Sequence, residues 1–254
     1  MTLPRTPSFR LDGRRALITG GTRGIGLGAA VALAEAGAAV TVAARTAADV
    51  ETVINEMAGA GLAAEGVALD ITDTETVRAF IGDVEPFQIL VNSAGTSRHS
   101  SFAGITAANY QAVMDLNLAA TLFVSQAVVS SLLEAGLPGS IIHISSQMGH
   151  VGGPDRALYA ASKFAVEGLS KAMAIELGPH NIRVNTICPT FIETELTAKN
   201  LSDPAFRSWV LSKIKLGRLG QIEDIMGPVV FLASDAAALV TGASLLVDGG
   251  WTAE

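Results

Sequence analysis

The stretch "ALITGGTRGIGLGAAVALAEAG", Ala16 to Gly37, decides the fold. It opens as a short apolar strand and closes as a helix of small apolar residues, with Gly20, Gly24 and Gly26 at the junction. Glycine there lets the backbone turn tightly and approach a pyrophosphate, while the helix N-terminus offers unpaired N–H groups and a positive dipole end. A glycine triplet alone would mean only a tight turn. Between a strand and a helix, with further strands and helices following, it predicts a dinucleotide site. The spacing is Gly-x-x-x-Gly-x-Gly rather than Gly-x-Gly-x-x-Gly.

Outward from that unit, strand-like runs recur: "RALIT", "AAVTVAA", "AAEGVAL", "FQILVNS", "GSIIHISS", "NIRVNTIC" and "ASLLVDG". Helix-compatible segments separate them, notably Gly24 to Gly37, Ala47 to Gly59, Thr72 to Gly82, Thr106 to Glu134 and Asp155 to Gly178. Strands alternating with helices need right-handed crossovers, so the expected fold is α/β: a single doubly wound parallel sheet of about seven strands with helices on both faces. No repeat or linker divides the chain, which predicts one domain over 1–254. The alternation lapses only over Thr190 to Gln221, an excursion long enough to suggest a lid over a substrate.

A net charge of -7 and the absence of a basic run argue against a nucleic-acid surface. The N-terminus has no apolar signal core and no run of about 18 apolar residues appears, so no membrane span is expected and the cytoplasm is the expected location. Cys188 is the only cysteine. It can form no intrachain disulfide, and in an apolar strand it reads as an inert buried thiol. His99, His143, His150 and His180 show no ligand spacing, so no metal is expected.

"ALYAASKFAVEGLSKAM", Ala157 to Met173, places Tyr159 and Lys163 one helical turn apart on one face. The glycine loop, Asn92-Ser93-Ala94-Gly95 and this pair together resemble the short-chain dehydrogenase/reductase family, over essentially the whole chain. That resemblance implies a Rossmann fold and a hydride transfer between a nicotinamide cofactor and a secondary alcohol or ketone. Ser146, 13 positions before Tyr159, stands where the family carries its serine, which selects it over Ser145. Asn117 in "MDLNLAATLF" stands at the family's helical asparagine, where relatives hold a water that links the lysine to solvent. The implied catalytic set is Asn117, Ser146, Tyr159 and Lys163. Tyrosine is a poor acid near neutrality, and an ammonium one turn away would favour its phenolate.

The loop residues Gly20, Thr22, Arg23, Gly24, Ile25 and Gly26 are expected to bind the cofactor. The second strand ends at Ala44 and Arg45 with no acidic residue to hold a ribose 2′-hydroxyl. Two guanidinium groups, Arg23 and Arg45, suit a 2′-phosphate instead, so NADP(H) is favoured over NAD(H). By resemblance Asp70 and Ile71 flank the adenine, and Asn92, Ala94 and Gly95 line its other side. Tyr159 and Lys163 reach the nicotinamide ribose, and Pro189, Ile192 and Thr194 hold the carboxamide. Thr190 departs from the glycine usual there, and a β-branched residue disfavours positive φ.

Ser146, Gln147, His150 and Tyr159 are the expected substrate contacts, with Met148, Gly152, Gly153, Arg98, His99, Phe191, Glu195, Leu196 and Trp209 as further pocket candidates. Their polarity suggests a hydroxylated or sugar-derived ketone. Lys199, Arg207, Lys213 and Lys215 could attract an anion, such as the acidic carrier protein of a 3-oxoacyl thioester reductase, the alternative enzyme. A non-catalytic nucleotide sensor or scaffold is the alternative of another class. The resemblance also implies a homotetramer built on Thr106–Glu134, Asp155–Gly178 and the last strand.

Overall fold

The computed structural model describes residues 2–253, with the side chains of Leu196 and Lys199 outside that description. Seven parallel strands form one sheet: β1 (Arg15–Thr19), β2 (Ala39–Ala44), β3 (Ala64–Ala68), β4 (Ile89–Asn92), β5 (Gly139–Ile144), β6 (Ile182–Pro189) and β7 (Ser244–Val247). Their order is β3-β2-β1-β4-β5-β6-β7. The sequence-derived expectation of a doubly wound sheet is met, with strand ends within about two residues of the apolar runs. The winding direction reverses between β1 and β4, where Thr19 pairs with Ala43 on one side and Asn92 on the other. Crossovers leave that point on opposite faces, so a crevice opens beyond the strand ends.

The helices are α1 (Gly24–Glu35), α2 (Ala47–Gly59), α3 (Thr74–Gly82), α4 (Ala107–Met114), α5 (Ala120–Ala135), α6 (Ala157–Leu177), α7 (Glu195–Leu201), α8 (Pro204–Lys213) and α9 (Glu223–Ala233). Alternate strand residues feed two cores, as a period of two requires. Ile18 and Val42 pack with Leu33 of α1 and Leu232 of α9 on one face. Leu17 and Leu90 pack with Val124 and Leu132 of α5 on the other.

The predicted helix Thr106–Glu134 is a rod from Ala107 to Ala135, long and apolar enough to cross a membrane by composition. Its apolar side is the core side, through Val124, Val128 and Leu132, which are almost wholly inaccessible. The rod is not uniformly α-helical: Asp115–Ala119 forms a π turn with buried Asn117 inside it. Such turns are rare and concentrate at functional positions.

The excursion after β6 holds α7 and α8 on a third core of its own. Phe191, Phe206, Trp209 and Trp251 stack with centroids 5.5 to 5.7 Å apart around Val210 and Ile214. Ile192 bridges to Gly220, so both ends of the excursion are fastened together. Trp251 belongs to the segment after β7, which fixes the helical pair from below.

Candidate functional site

A cleft of about 320 Å³ opens at the carboxyl edge of the sheet. One wall is the loop from β1 into α1, with Gly20, Thr22, Arg23, Gly24, Ile25 and Gly26. Gly20 has φ +66, and a Cβ there would stand 2.8 Å from the Ala94 Cα. At Gly26 a Cβ would collide with the Gly20 carbonyl. The loop therefore demands glycine at both positions.

Beyond the loop the cleft is lined by Ala44, Arg45, Thr46 and Asp49, then by Ile71 and Ser93 to Ser97. Arg23 and Arg45 are both exposed and line the same end. The opposite end is lined by Ile144, Ser145, Ser146, Tyr159 and Lys163, with Pro189, Thr190, Ile192 and Thr194 above them.

The four residues of the implied catalytic set come from three parts of the chain. Tyr159 and Lys163 lie in α6, with the Lys163 Nζ 5.7 Å from the Tyr159 ring centroid. Lys163 is buried and donates to the Ile144 carbonyl at 2.8 Å. Ser146 follows β5; its Oγ accepts from the Met148 N–H at 3.1 Å and donates to Gln147 Oε1 at 2.8 Å. Asn117 is brought in by the π turn. Its Oδ1 accepts from the Thr96 N–H at 2.8 Å, and its Nδ2 donates to the Thr96 carbonyl at 2.9 Å and Ser162 Oγ at 3.0 Å. A Cβ on Gly95 would lie 3.4 Å from Asn117 Oδ1 and 3.9 Å from Lys163 Nζ, so amide and ammonium converge on one glycine.

Several expected contacts sit elsewhere. Asn92 is buried and turned into the core, its Nδ2 2.9 Å from Ser125 Oγ and 3.1 Å from His143 Nδ1. It supports the cleft wall rather than lining it. Asp70 is exposed and accepts from the Thr72 N–H and hydroxyl at 3.0 and 2.7 Å, bonds that hold its carboxyl below the usual range. It caps a turn outside the cleft, leaving Ile71 as the lining residue. Gln147 is buried against Ser146, and Met148 belongs to the third core. His150 turns away, toward Cys188 and Glu167. Thr190 keeps a negative φ, so the departure from glycine is accommodated without strain. Arg207 reaches Glu193 at 3.4 Å instead of standing free. Leu196 and Lys199 fall on side chains outside those described.

His150, Glu167 and Cys188 form a cluster that no sequence spacing reveals. Burial alone would raise the Glu167 carboxyl, yet donors around it hold it below the ordinary range. Among these donors are Thr186 Oγ1 at 3.0 Å, Cys188 Sγ at 3.3 Å and Ser244 Oγ. The Cys188 thiol is pushed up to about 12, chiefly by burial, so it is a donor here and not a thiolate.

Arg156, one turn before Tyr159, is a buried cation absent from the sequence-derived candidates. Its guanidinium lies 5.5 Å from the Phe191 centroid and 5.8 Å from that of Phe206. Its Nη1 contacts the His99 ring, 2.8 Å from Nδ1, and His99 in turn meets the Tyr159 ring edge-on at 6.4 Å. Burial, then the Arg156 charge, lower the His99 imidazole to about 4, so it is neutral and accepts from the guanidinium. A charged residue one turn before the tyrosine was the available signal, but its direction could not be read from spacing.

Residues 20–252 match a family model described as enoyl-(acyl carrier protein) reductase. The chain is 42% identical to D-erythrulose reductase of Gallus gallus over 245 residues, covering 96% of this chain and 98% of that protein. It is 38% identical to L-xylulose reductase of Bos taurus, again over 245 residues, with 96% and 99% covered. Among solved structures it resembles a gluconate 5-dehydrogenase from Burkholderia cenocepacia in complex with NADP and tartrate. The TM-score is 0.93, at 39% identity, with 97% of this chain and 98% of that one covered. With near-complete coverage on both sides, the resemblance carried by the glycine loop and the Tyr159/Lys163 pair becomes a statement of membership: the chain belongs to the short-chain dehydrogenase/reductase family and is an oxidoreductase.

Proposed function

We propose that this enzyme interconverts a secondary alcohol and a ketone on a small polyhydroxylated substrate, with NADP(H) preferred over NAD(H). The observation that carries it is that Ser146, Tyr159 and Lys163 line one end of a cleft, with Asn117 behind its wall at Gly95 and Thr96, while the glycine loop lines the other end. The residues fit a dinucleotide: Gly20 and Gly26 keep the loop backbone close, Arg23 and Arg45 line one end of the cleft and would suit a 2′-phosphate, and Thr190 Oγ1 is a buried cleft-lining atom with no protein partner. When bound, the nicotinamide supplies or accepts the hydride.

In the reductive direction Tyr159 donates its phenolic proton to the substrate oxygen. Ser146 holds that oxygen, rotating its hydroxyl hydrogen from Gln147 Oε1 to the substrate. Lys163, fixed by the Ile144 carbonyl, keeps further N–H donors for the cofactor ribose and a positive charge beside the phenol. Asn117 clamps both backbone groups of Thr96, which shapes the wall next to Lys163. The excursion 190–221 acts as the substrate lid within a single catalytic domain of 1–254, which works as a cytoplasmic homotetramer.

The named activities of D-erythrulose reductase, L-xylulose reductase and gluconate 5-dehydrogenase support a sugar-type substrate. The test is a panel of ketoses and keto acids, together with a 3-oxoacyl thioester, against both cofactors. Turnover of the ketoses or keto acids with NADPH is expected; turnover of the thioester alone would replace this reading with an acyl-thioester reductase.

A further inference from the structure

Arg156 is more than nine-tenths buried, yet among the described residues no carboxylate lies within 4 Å of its guanidinium and its only hydrogen-bond partner is the neutral imidazole of His99. The Asp155 carboxylate acts on it only from beyond that distance, and burying a cation with no carboxylate in contact costs several kcal/mol as an order of magnitude, which proteins rarely accept without use. Stacking on Phe191 and Phe206 offsets part of it. The Nε and Nη2 groups donate to no protein acceptor, and neither is sealed from solvent. His99 and the rings of Phe191 and Phe206 fix the guanidinium, which leaves those two donor groups facing outward.

The position is specific. Arg156, at the N-cap of α6, precedes Tyr159 by three residues, and Lys163 follows it by four. Two buried cations therefore bracket the proposed proton donor. Lys163 is engaged with the β5 carbonyl and the cofactor wall. Arg156 is joined to Phe191 and Phe206 of the lid and, through His99, to the loop after β4. Arg156 is near enough to Tyr159 to feel its charge, and His99 touches the Tyr159 ring, so a group held by Arg156 would lie beside the proposed proton donor.

We propose that Arg156, oriented by His99, is a specificity-determining residue that binds a carboxylate on the substrate, making the preferred substrates hydroxylated keto acids rather than neutral ketoses. The planar guanidinium suits this because it offers a carboxylate parallel N–H donors, which an ammonium cannot match. The inference rests on the sugar-type reading above and narrows it to acids.

The matched pair 5-keto-D-gluconate and L-sorbose tests it, since they differ only in a terminal carboxylate against a hydroxymethyl group. With NADPH, the wild type should show the higher kcat/KM for the acid. Arg156→Gln should lower the acid-to-ketose ratio of kcat/KM about 10- to 100-fold, mainly through the KM of the acid, and Arg156→Lys should restore part of it. An unaltered ratio in Arg156→Gln, or a wild-type preference for L-sorbose, would overturn the assignment. Calorimetric titration of the enzyme–NADPH complex with gluconate and with glucitol decides the subsite without turnover. Tighter binding of gluconate that disappears in Arg156→Gln supports it, and equal binding of the two polyols refutes it. A wild type that turns over neither sugar compound refutes the proposed function, while the titration still judges Arg156.

Discussion

Lys163 Nζ stands 5.7 Å from the centroid of the Tyr159 ring and is tied to the end of β5 by a 2.8 Å hydrogen bond to the Ile144 carbonyl. A flexible side chain is thereby held at fixed distance from the phenol by the sheet itself. Tyr159→Phe keeps this packing and removes one hydroxyl. It should lower kcat by roughly 10²- to 10⁴-fold, the usual contribution of a positioned proton donor. NADPH binding, followed by fluorescence, should survive. Wild-type rates of NADPH oxidation in this variant would remove Tyr159 from the mechanism.

Arg45 is exposed at the cleft end where β2 finishes and has no ion-pair partner among the described residues. Arg45→Asp should weaken NADPH by about 10- to 100-fold, the loss expected for a charge-assisted contact made repulsive, and should improve NADH. Kd values for both cofactors check this. Equal weakening of the two would reject a 2′-phosphate role.

Asn117 satisfies both backbone groups of Thr96 and Ser162 Oγ. Asn117→Ala leaves the Thr96 N–H and carbonyl unpaired in a partly buried position. About 1–3 kcal/mol of stability should be lost, together with a marked fall in turnover. Urea denaturation measures the first, and a midpoint unmoved from wild type would show that water replaces the amide at no cost.

His143 is wholly buried, and burial followed by the Lys163 charge lowers its imidazole from 6.5 to about 4. The unfolded chain therefore binds a proton between those values that the folded chain does not, so stability is flat above about pH 6.5 and falls as pH drops toward 4. Between pH 7.5 and 5 this one group should remove about 2 kcal/mol. His143→Gln, which keeps an acceptor for Asn92, should show a correspondingly shallower pH dependence of its urea midpoint. Parallel curves for the two proteins would exclude the effect.

The sequence made the glycine loop and the Tyr159/Lys163 pair legible because both are local: a strand-to-helix junction and a one-turn spacing survive in any one-dimensional reading. Ser146 was reachable only through the family resemblance, whose spacing to Tyr159 selects it over Ser145 at the same strand end. Asn92 was misjudged for a physical reason. All four residues of β4 are buried, so no alternation reveals that its amide faces Ser125 and His143. Arg156 meets His99 across 57 positions, and His150, Glu167 and Cys188 meet from three elements. Such encounters arise from packing, not spacing. The same holds for the four aromatic rings of the third core, spread from Phe191 to Trp251.

The π turn at Asp115–Ala119 shifts the phase of the long rod. One residue more per turn rotates everything downstream by about 100° relative to an unbroken α-helix. That offset lets α4 lie against α6 while α5 turns Val124, Val128 and Leu132 onto the sheet. Deleting a single residue there would regularise the hydrogen bonding of the rod. It would also swing either Asn117 off Thr96 or the apolar stripe of α5 off the core. Active-site geometry and core packing are thus coupled by a residue count, so a regular, locally more stable helix is closed to this protein as a route to greater stability.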